Sequence, residues 1–466
     1  METGERVVDY LVVGAGAMGM AFADTIVAES DKTVAIVDRG SRPGGHWTTA
    51  YPFVRLHQPS SFYGVNSEHL GSDRIDDRGG NDGLYELASG SEVVAYFDQV
   101  MRHTLLPSGR VHYFPMSEYL GAGRFRSTTT GEERSIAATK TIDATYMNVT
   151  VPSMRPPGFD VAPGVVCLPP NGLPSITRTP SRFVIVGAGK TGVDSCLWLL
   201  DNGVDPDSIT WIMPRDAWYL DRARIQPGER FAAAAVGAFA AQFAAAAEAT
   251  SIDDLFERLE ARGALLRLYD DVQPTMYRCA TVTQRELEQL RGISDIVRMG
   301  HVQSIGTDAI SLDGGSIPTD PLAVHVDCSA DGLARRPVVP IFAGDRLTLQ
   351  AVRTCQQVFS AAFIAHVEVT GDDDVAKNAL CGPVPHPNTD TDWMRATLAQ
   401  VMNAIAWAAD PELQAWLADA RLDGFSAIGK TRDPEALSLT TQLLEAMPAA
   451  LENLTRMVSE ADAAGR

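Results

Sequence analysis

The first forty residues alternate between apolar and mixed stretches in the order strand, helix, strand. Residues 10–13 are a short apolar run typical of a buried strand, and the run ends at a glycine-rich turn. A helical stretch follows the turn, and a second apolar run, 33–37, ends at Asp38. This pattern predicts a βαβ unit built on a parallel sheet.

The same pattern returns in the middle of the chain. Residues 182–186 read as a strand, 187–192 as a glycine-rich turn, 193–200 as a helix and 209–213 as the next strand. Two such units predict an α/β fold with two Rossmann-like dinucleotide-binding domains.

The remaining pattern divides the chain further. Eight prolines between residues 151 and 180 exclude a long helix or a central strand there, which indicates a linker. An alanine-rich helical stretch begins at residue 231, and mainly helical pattern runs from 392 to the end. We therefore predict five regions: a first dinucleotide domain (1–150), a linker (151–180), a second domain (181–325) with a helical insertion (231–290), a return to the first domain (326–370) and a helical C-terminal region (388–466).

Composition narrows the class of protein. The chain has 466 residues, 45% of them hydrophobic, and a formal net charge of −20. That charge argues against nucleic acid or an anionic membrane as the partner, since both attract basic surfaces. The N-terminus lacks a signal-peptide pattern, and the longest apolar run, 231–247, is a poor membrane span. We expect a cytoplasmic protein.

The six cysteines are scattered and form no CxxC pair. This spacing offers neither a zinc site nor a redox dithiol, so the sequence predicts buried, reduced thiols and no metal.

The first glycine turn has the residue types that a dinucleotide needs. Gly14 permits the tight turn, Gly16 lets the backbone approach a pyrophosphate, and Gly19 lets helix and strand pack closely. The helix N-terminus presents free N–H groups to the phosphates, and Asp38 can accept hydrogen bonds from a ribose.

The second turn, with Gly187, Gly189 and Gly192, repeats this chemistry with a different ending. Arg215 stands where the first unit has its acidic residue, and an arginine suits a 2′-phosphate, which favours NADPH over NADH. The alternative is that Arg215 pairs with Asp216.

The two turns, a GGHW loop after the first and a YP…R…H.PS..Y segment at 51–63 resemble the flavoprotein monooxygenases with two dinucleotide-binding domains. That family includes flavin-containing, Baeyer–Villiger and N-hydroxylating enzymes. The resemblance covers residues 8–370 and implies that the first unit binds FAD and the second NADPH. It implies FAD contacts at these residues: Gly14, Gly16, Ala17, Met18, Gly19, Asp38, Arg39, Gly45, His46, Trp47, Met116 (through its backbone to adenine) and Asp345 (to the ribityl or pyrophosphate). For NADPH it implies Gly187, Gly189, Gly192 and Arg215.

The chain departs from the family pattern at three places. The linker lacks the FxGxxxH fingerprint, Phe53 replaces a glycine, and His57 stands where the Baeyer–Villiger enzymes carry aspartate. The resemblance therefore supports the two cofactors well and the Baeyer–Villiger reaction poorly.

The family chemistry inserts one atom of O₂ into a small organic substrate through a flavin C4a-(hydro)peroxide. Here N- or S-oxygenation is favoured. His57 is the leading catalytic candidate, because an imidazole titrates near neutral pH and can donate to a flavin oxygen; the alternative is a structural loop histidine. Asn66 matches an asparagine that several family members place over the flavin.

Three other readings compete with this one. A disulfide-type flavin reductase needs a CxxC or CxxxxC pair, which the sequence lacks. The second alternative is an enzyme that leaves the substrate unoxygenated: an FAD-dependent dehydrogenase or oxidase, or another NAD(P)H oxidoreductase. The third is a non-catalytic regulator that uses both pockets as sensors. The expected partners are a small-molecule substrate and O₂, with the helical tail available for a homodimer.

Overall fold

The structure is a computed structural model that describes residues 6–330, 332–424 and 431–465. The strands of the first half are β1 (Arg6–Val13), β2 (Val34–Val37), β3 (Val111–Phe114), β4 (Ser117–Gly121), β5 (Arg124–Ser127), β6 (Glu133–Asp143), β7 (Asp160–Val161), β8 (Val166–Leu168), β9 (Phe183–Val186) and β10 (Ile209–Ile212). Those of the second half are β11 (Ala217–Asp221), β12 (Met276–Val282), β13 (Asp295–Val297), β14 (Val302–Ile305), β15 (Ala309–Leu312), β16 (Gly315–Pro318), β17 (Val324–Asp327), β18 (Phe342–Ala343) and β19 (Arg346–Thr348).

Helices connect and cover these strands. Their bounds are α1 (Ala17–Glu29), α2 (Gly90–Gln99), α3 (Lys190–Asp201), α4 (Ala232–Glu248), α5 (Ile252–Ala261), α6 (Gln284–Leu290), α7 (Gln357–Thr370), α8 (Asp374–Leu380), α9 (Asp390–Ala408), α10 (Pro411–Asp419) and α11 (Pro434–Ala463).

The first sheet has the strand order β18–β19–β6–β1–β2–β3. Strands β19, β6, β1, β2 and β3 run parallel, and β4 and β5 extend β6 as an antiparallel ribbon. All four residues of β2 are buried, as expected for a strand covered on both faces. Helices α1 and α7 pack against each other beside this sheet and form its core. The predicted first Rossmann-like unit is confirmed.

The second sheet is entirely parallel, in the order β13–β10–β9–β17–β8. Its central strands β9, β10 and β17 are buried throughout. The sequence therefore predicted the second unit correctly, and the chain has an α/β fold with two Rossmann-like units.

The proline-rich segment is more than a linker. It contributes β8 as an edge strand of the second sheet and β7 to a separate sheet ordered β16–β15–β14–β7. Edge positions tolerate nearby prolines because one side of the strand needs no hydrogen bonds, which explains why the linker prediction missed both strands.

The helical regions also differ in detail from the prediction. The insertion contains β12, which pairs with β11, and its helix is broken into α4 and α5. Glu229–Glu248 is long and apolar enough to cross a membrane by length and composition, but its helix α4 packs against α11. The region predicted to return to the first domain, 326–370, contains β18, β19 and α7.

Candidate functional site

The first glycine turn is held in a conformation that only glycines allow. Gly14 has φ +104°, and its N–H donates to Val37 O at 2.8 Å. A Cβ on Gly19 would lie 2.0 Å from the carbonyl oxygen of Gly14. Gly16 is the N-cap of α1 and has no side-chain cap, so the first turn of α1 keeps free N–H groups at the surface of the cavity described below.

Asp38 lies directly after β2 and ties this turn together. Its Oδ2 accepts from Ala15 N and its Oδ1 from Gly40 N, both at 2.6 Å. Each carboxylate oxygen has a second lone pair, so Asp38 can still accept from a ribose hydroxyl. Arg39 beside it is exposed.

The GGHW loop lies against the turn. A Cβ on Gly45 would lie 3.0 Å from Gly16 Cα, so the backbones of the loop and the turn are in close contact. Burial lowers the pKa of His46 to about 4, which keeps its imidazole neutral. Trp47 Nε1 donates to the Tyr63 hydroxyl at 2.6 Å, and this bond fixes the indole at the wall of the cavity.

The second turn repeats the geometry of the first. Gly187 has φ +118°, and a Cβ on Gly192 would lie 2.2 Å from the Gly187 carbonyl oxygen. Gly189 is the N-cap of α3 and has nothing within 4 Å of an added Cβ, so the space in front of it is open. Open space before a helix N-terminus suits a phosphate.

Three residues beside this second turn were not predicted as ligands from the sequence. Lys190, the first residue of α3, forms an ion pair with Asp194 one turn later. The Tyr51 hydroxyl donates to the other carboxylate oxygen of Asp194 at 2.6 Å. The i, i+4 spacing of Lys190 and Asp194 was visible in the sequence, but the contact with Tyr51 joins residues that are 143 positions apart.

One cavity of about 1030 Å³ connects the two turns. Its walls include Lys190, Thr191 and Asp194 from the second turn. From the predicted site they include Gly14, Gly16, Ala17, Met18, Asp38, Arg39, Gly45, His46, Trp47 and His57. Gly19, Gly187, Gly189 and Gly192 shape the turns without lining this cavity.

His57 lies at the wall of the cavity between the two turns. Its Nδ1 is buried without a hydrogen-bond partner, and its carbonyl accepts from Arg222 Nε at 3.2 Å. Arg222 is buried and forms a two-point ion pair with Glu286, at 2.9 and 3.0 Å, which fixes the loop. Burial, with the cations Lys190 and Arg222, lowers the pKa of His57 to about 3. This corrects the expectation that His57 titrates near neutral pH.

Asn66 and Met116 have contacts other than those expected. Asn66 Oδ1 accepts from Leu422 N at 3.2 Å, so this side chain ties a loop to the C-terminal region instead of facing the cavity. Met116 N donates to Gly40 O at 2.8 Å. Its carbonyl accepts from both the N–H and the hydroxyl of Thr128, which leaves the Met116 backbone no group for adenine.

Asp345 also lies elsewhere. It is an exposed residue of the turn between β18 and β19, and its carbonyl accepts from Thr141 N at 2.7 Å. This turn precedes β19, whereas ligands of parallel sheets lie beyond the carboxyl ends of the strands. The expected contact of Asp345 with a cofactor therefore has no geometric support.

Arg215 and Asp216 each have another partner. Its Nη2 donates to Asn388 Oδ1 at 3.0 Å, while Asp216 forms a two-point ion pair with Arg298 at 2.8 and 2.9 Å. Arg278 donates to the same Asn388 oxygen at 2.8 Å and also lines the cavity. Arg215 follows β10 as Asp38 follows β2, and its contact with a 2′-phosphate stays a prediction.

The cysteines correct the sequence analysis most strongly. Cys279 and Cys355 form a disulfide although 76 positions separate them, and both line the cavity. The prediction of reduced thiols throughout was therefore wrong for this pair. Among the described residues the free cysteines are Cys167, Cys196, Cys328 and Cys381.

The polar groups around the cavity are suited to the binding of two dinucleotides. Two side-chain atoms of lining residues are buried without partners, Nδ1 of His57 and Oε1 of Gln357, the first residue of α7. Each glycine N-cap leaves its helix N-terminus without a capping side chain. These features are two hydrogen-bonding and two anion-binding sites around a single cavity.

Comparison with known proteins identifies a family model and relatives that match this chain. Residues 12–64 match the family model described as an NAD(P)-binding Rossmann-like domain. Uncharacterized proteins from Mycobacterium tuberculosis and Mycobacterium bovis are 59% identical over 416 residues, covering 89% of this chain and 77% of theirs.

Solved structures are similar at much lower identity. An open crystal structure of cyclohexanone monooxygenase is 11% identical, with 99% of this chain and 98% of that one covered and a TM-score of 0.48. A flavin-containing monooxygenase from Stenotrophomonas maltophilia is 14% identical, with 86% and 99% covered and a TM-score of 0.41. A bacillithiol disulfide reductase from Bacillus cereus is 10% identical, with 79% and 100% covered and a TM-score of 0.40. The sequence identity to the mycobacterial proteins is decisive: this chain, with its NAD(P)-binding Rossmann-like match at residues 12–64, belongs to one protein family with them.

Proposed function

We propose that this chain is an FAD-dependent, NADPH-using monooxygenase that transfers one oxygen atom of O₂ to nitrogen or sulfur of a small organic substrate. One observation carries the proposal: a single cavity touches the N-terminus of α1 and the first turn of α3. Two dinucleotides bound at these turns would bring their reactive rings into one enclosure, as electron transfer between them requires.

The residues of the chain have distinct tasks in this proposal. The N-terminus of α1 binds the FAD pyrophosphate and Asp38 its ribose, while the N-terminus of α3 and Arg215 bind NADPH. FAD, once bound, would supply the chemistry that activates O₂. Apolar side chains such as Trp47, Leu220 and Val358 line the cavity and exclude water from the reacting atoms.

His57 has the role of a neutral hydrogen-bonding group. Its Nδ1 has no partner within the protein and is available for one hydrogen bond inside the cavity. Its low pKa keeps the ring uncharged. The preference for nitrogen or sulfur rests on His57 at the position where the Baeyer–Villiger segment carries aspartate. We also propose that the protein is cytoplasmic and acts on a small molecule, without nucleic acid or membrane, and that its helical tail supports a homodimer.

The first experiment is an absorbance spectrum of the purified protein, followed by NADPH-dependent O₂ uptake with a panel of amines and thioethers. Flavin bands and oxygenated product in proportion to NADPH support the proposal. Stoichiometric hydrogen peroxide with every substrate favours an oxidase, and bound nucleotide without turnover favours a regulator. Absence of flavin after reconstitution overturns the proposal.

His57→Ala tests the catalytic role. We expect product formation to fall about 100-fold, the lower range for loss of one hydrogen bond that stabilises a transition state, while NADPH oxidation continues and hydrogen peroxide replaces the product. Because the pKa of His57 is about 3, the ratio of wild-type to variant rates should stay constant between pH 5 and 8. Product and peroxide are quantified per NADPH consumed.

His301→Ala is the matched control, since His301 is exposed and directly precedes β14 of the separate sheet. An unchanged ratio of product to peroxide in His57→Ala would assign His57 a structural role only.

A further inference from the structure

The Cys279–Cys355 disulfide joins two distant parts of the chain inside the cavity. Cys279 belongs to β12 of the inserted segment, and Cys355 precedes α7 of the first unit. Their Cα atoms are 6.5 Å apart, within the range of ordinary disulfides. Both residues have a left-handed backbone, with φ of +55° and +58°, a conformation that non-glycine residues adopt mostly where function requires it.

Three neighbours of the pair bear on its chemistry. His386 Nδ1 lies 3.8 Å from Cys355 Sγ and lines the same cavity. Helix α7 begins two residues after Cys355, which places the positive end of a helix beside this sulfur. Cys355 is half-buried whereas Cys279 is buried, so Cys355 is the sulfur more accessible from the cavity.

We propose that Cys279 and Cys355 are a redox-active pair that reduces a low-molecular-weight disulfide within the cavity. A small substrate is expected because both sulfurs line a cavity of about 1030 Å³. Burial and the nearby Arg278, against the opposite effect of Asp392, lower the pKa of His386 to about 4, so its ring is neutral. The His386 Nδ1 hydrogen is donated to the Cys355 thiolate, which the N-terminus of α7 also stabilises.

The reaction balances in two steps. The Cys355 thiolate attacks one substrate sulfur, forming a mixed disulfide and releasing the first thiol. The Cys279 thiolate then attacks Cys355 Sγ, releasing the second thiol and restoring the protein disulfide. A reduced nicotinamide dinucleotide and one proton return the pair to the dithiol state. This supply of electrons rests on the proposed function, because it uses the two dinucleotide sites of the same cavity.

The free cysteines provide internal controls. Burial raises the pKa of the Cys167 and Cys328 thiols to about 12, and that of Cys196 and Cys381 well above the usual range. These thiols are protonated and slow to react at neutral pH.

The exchange step is tested without added NADPH. The holoprotein is reduced with dithiothreitol, desalted and mixed with the aromatic disulfide 5,5′-dithiobis(2-nitrobenzoate). We expect a rapid release of two thionitrobenzoate equivalents per chain. Cys279→Ser should release one and retain the mixed disulfide on Cys355, and Cys355→Ser should lose the rapid phase. Reaction no faster than that of the four free cysteines overturns the proposal.

His386→Ala and His386→Asn separate positioning from folding. We expect His386→Ala to slow the rapid phase about tenfold and to shift its pH profile upward, with the count of two equivalents unchanged and partial rescue by His386→Asn. An unaltered rate and pH profile overturn the role of His386.

Electron supply is tested by anaerobic addition of NADPH to the holoprotein, followed by alkylation and peptide mapping. Two new alkylated thiols at Cys279 and Cys355 support the proposal, and a bleached flavin beside an intact disulfide overturns it. If the monooxygenase proposal fails because no flavin is bound or no substrate is oxygenated, the exchange experiment still decides the chemistry of the pair.

Discussion

Replacing Glu368 by glutamine should lower the free energy of unfolding by about 3–5 kcal/mol, because the substitution leaves buried lysine charge without its partner. Glu368, in α7, is 3% exposed and accepts from Lys140 Nζ at 2.7 Å and Lys377 Nζ at 2.9 Å. The Tyr10 hydroxyl donates to the same carboxylate at 3.1 Å. Glutamine has nearly the same volume as glutamate, so the decrease in the free energy of unfolding measures the loss of the charge and not the formation of a cavity.

Urea unfolding followed by tryptophan fluorescence measures this loss, since Trp407 packs on Phe363 of α7 with ring centroids 4.5 Å apart. Glu460→Gln is the matched control, because its ion pair with Arg456 is largely exposed and contributes about 0.5 kcal/mol or less. A loss below about 1 kcal/mol for Glu368→Gln would show that the lysines find other partners or water.

Gly189→Val should weaken NADPH binding about 100-fold, or about 2.7 kcal/mol, while leaving FAD content unchanged. Its φ of −75° suits any residue and nothing lies within 4 Å of an added Cβ, so the variant should fold. The new side chain instead occupies the space where the backbone must approach the pyrophosphate. Anaerobic calorimetry with NADPH measures the affinity, and the flavin absorbance reports FAD.

Gly16→Val is the reciprocal variant at the first turn, where an added Cβ makes only an ordinary contact of 3.7 Å. It should lose FAD. Gly187→Ala differs from both, since its φ of +118° and a Cβ at 2.9 Å from Cys328 O predict misfolding of the turn itself. Unchanged NADPH affinity in Gly189→Val would exclude the second turn as the NADPH site.

The sequence predicted the parts of the fold that depend on local chemistry. The strands β1, β2, β9 and β10 follow from apolar runs, and Gly14 and Gly187 follow from the positive φ that each turn requires. These signals lie within about thirty residues of each other and need no knowledge of distant contacts.

The failed or incomplete predictions depend on contacts between distant segments. The family resemblance implied that Asp345 is a ligand, yet the pairing of β19 with β6 places it on a turn away from the carboxyl edge. Cysteine spacing excluded a redox pair, yet the fold brings Cys279 to Cys355. His57 was assigned an ordinary pKa because burial beside Lys190 is invisible in the sequence.

The pairing of β8 with β17 has a consequence for dissecting the molecule. The second sheet takes β8 from before its glycine turn and β17 from beyond the helical insertion, and the chain returns to the first sheet at β18. A fragment cut at residue 181 would lose an edge strand, and one cut at residue 320 would lose the strand between β8 and β9. The second unit is therefore a continuous insert, 160–327, within a discontinuous host. Because α4 of that insert packs against α11 and Cys279 is bonded to Cys355, excision of the insert would expose apolar surface on both parts.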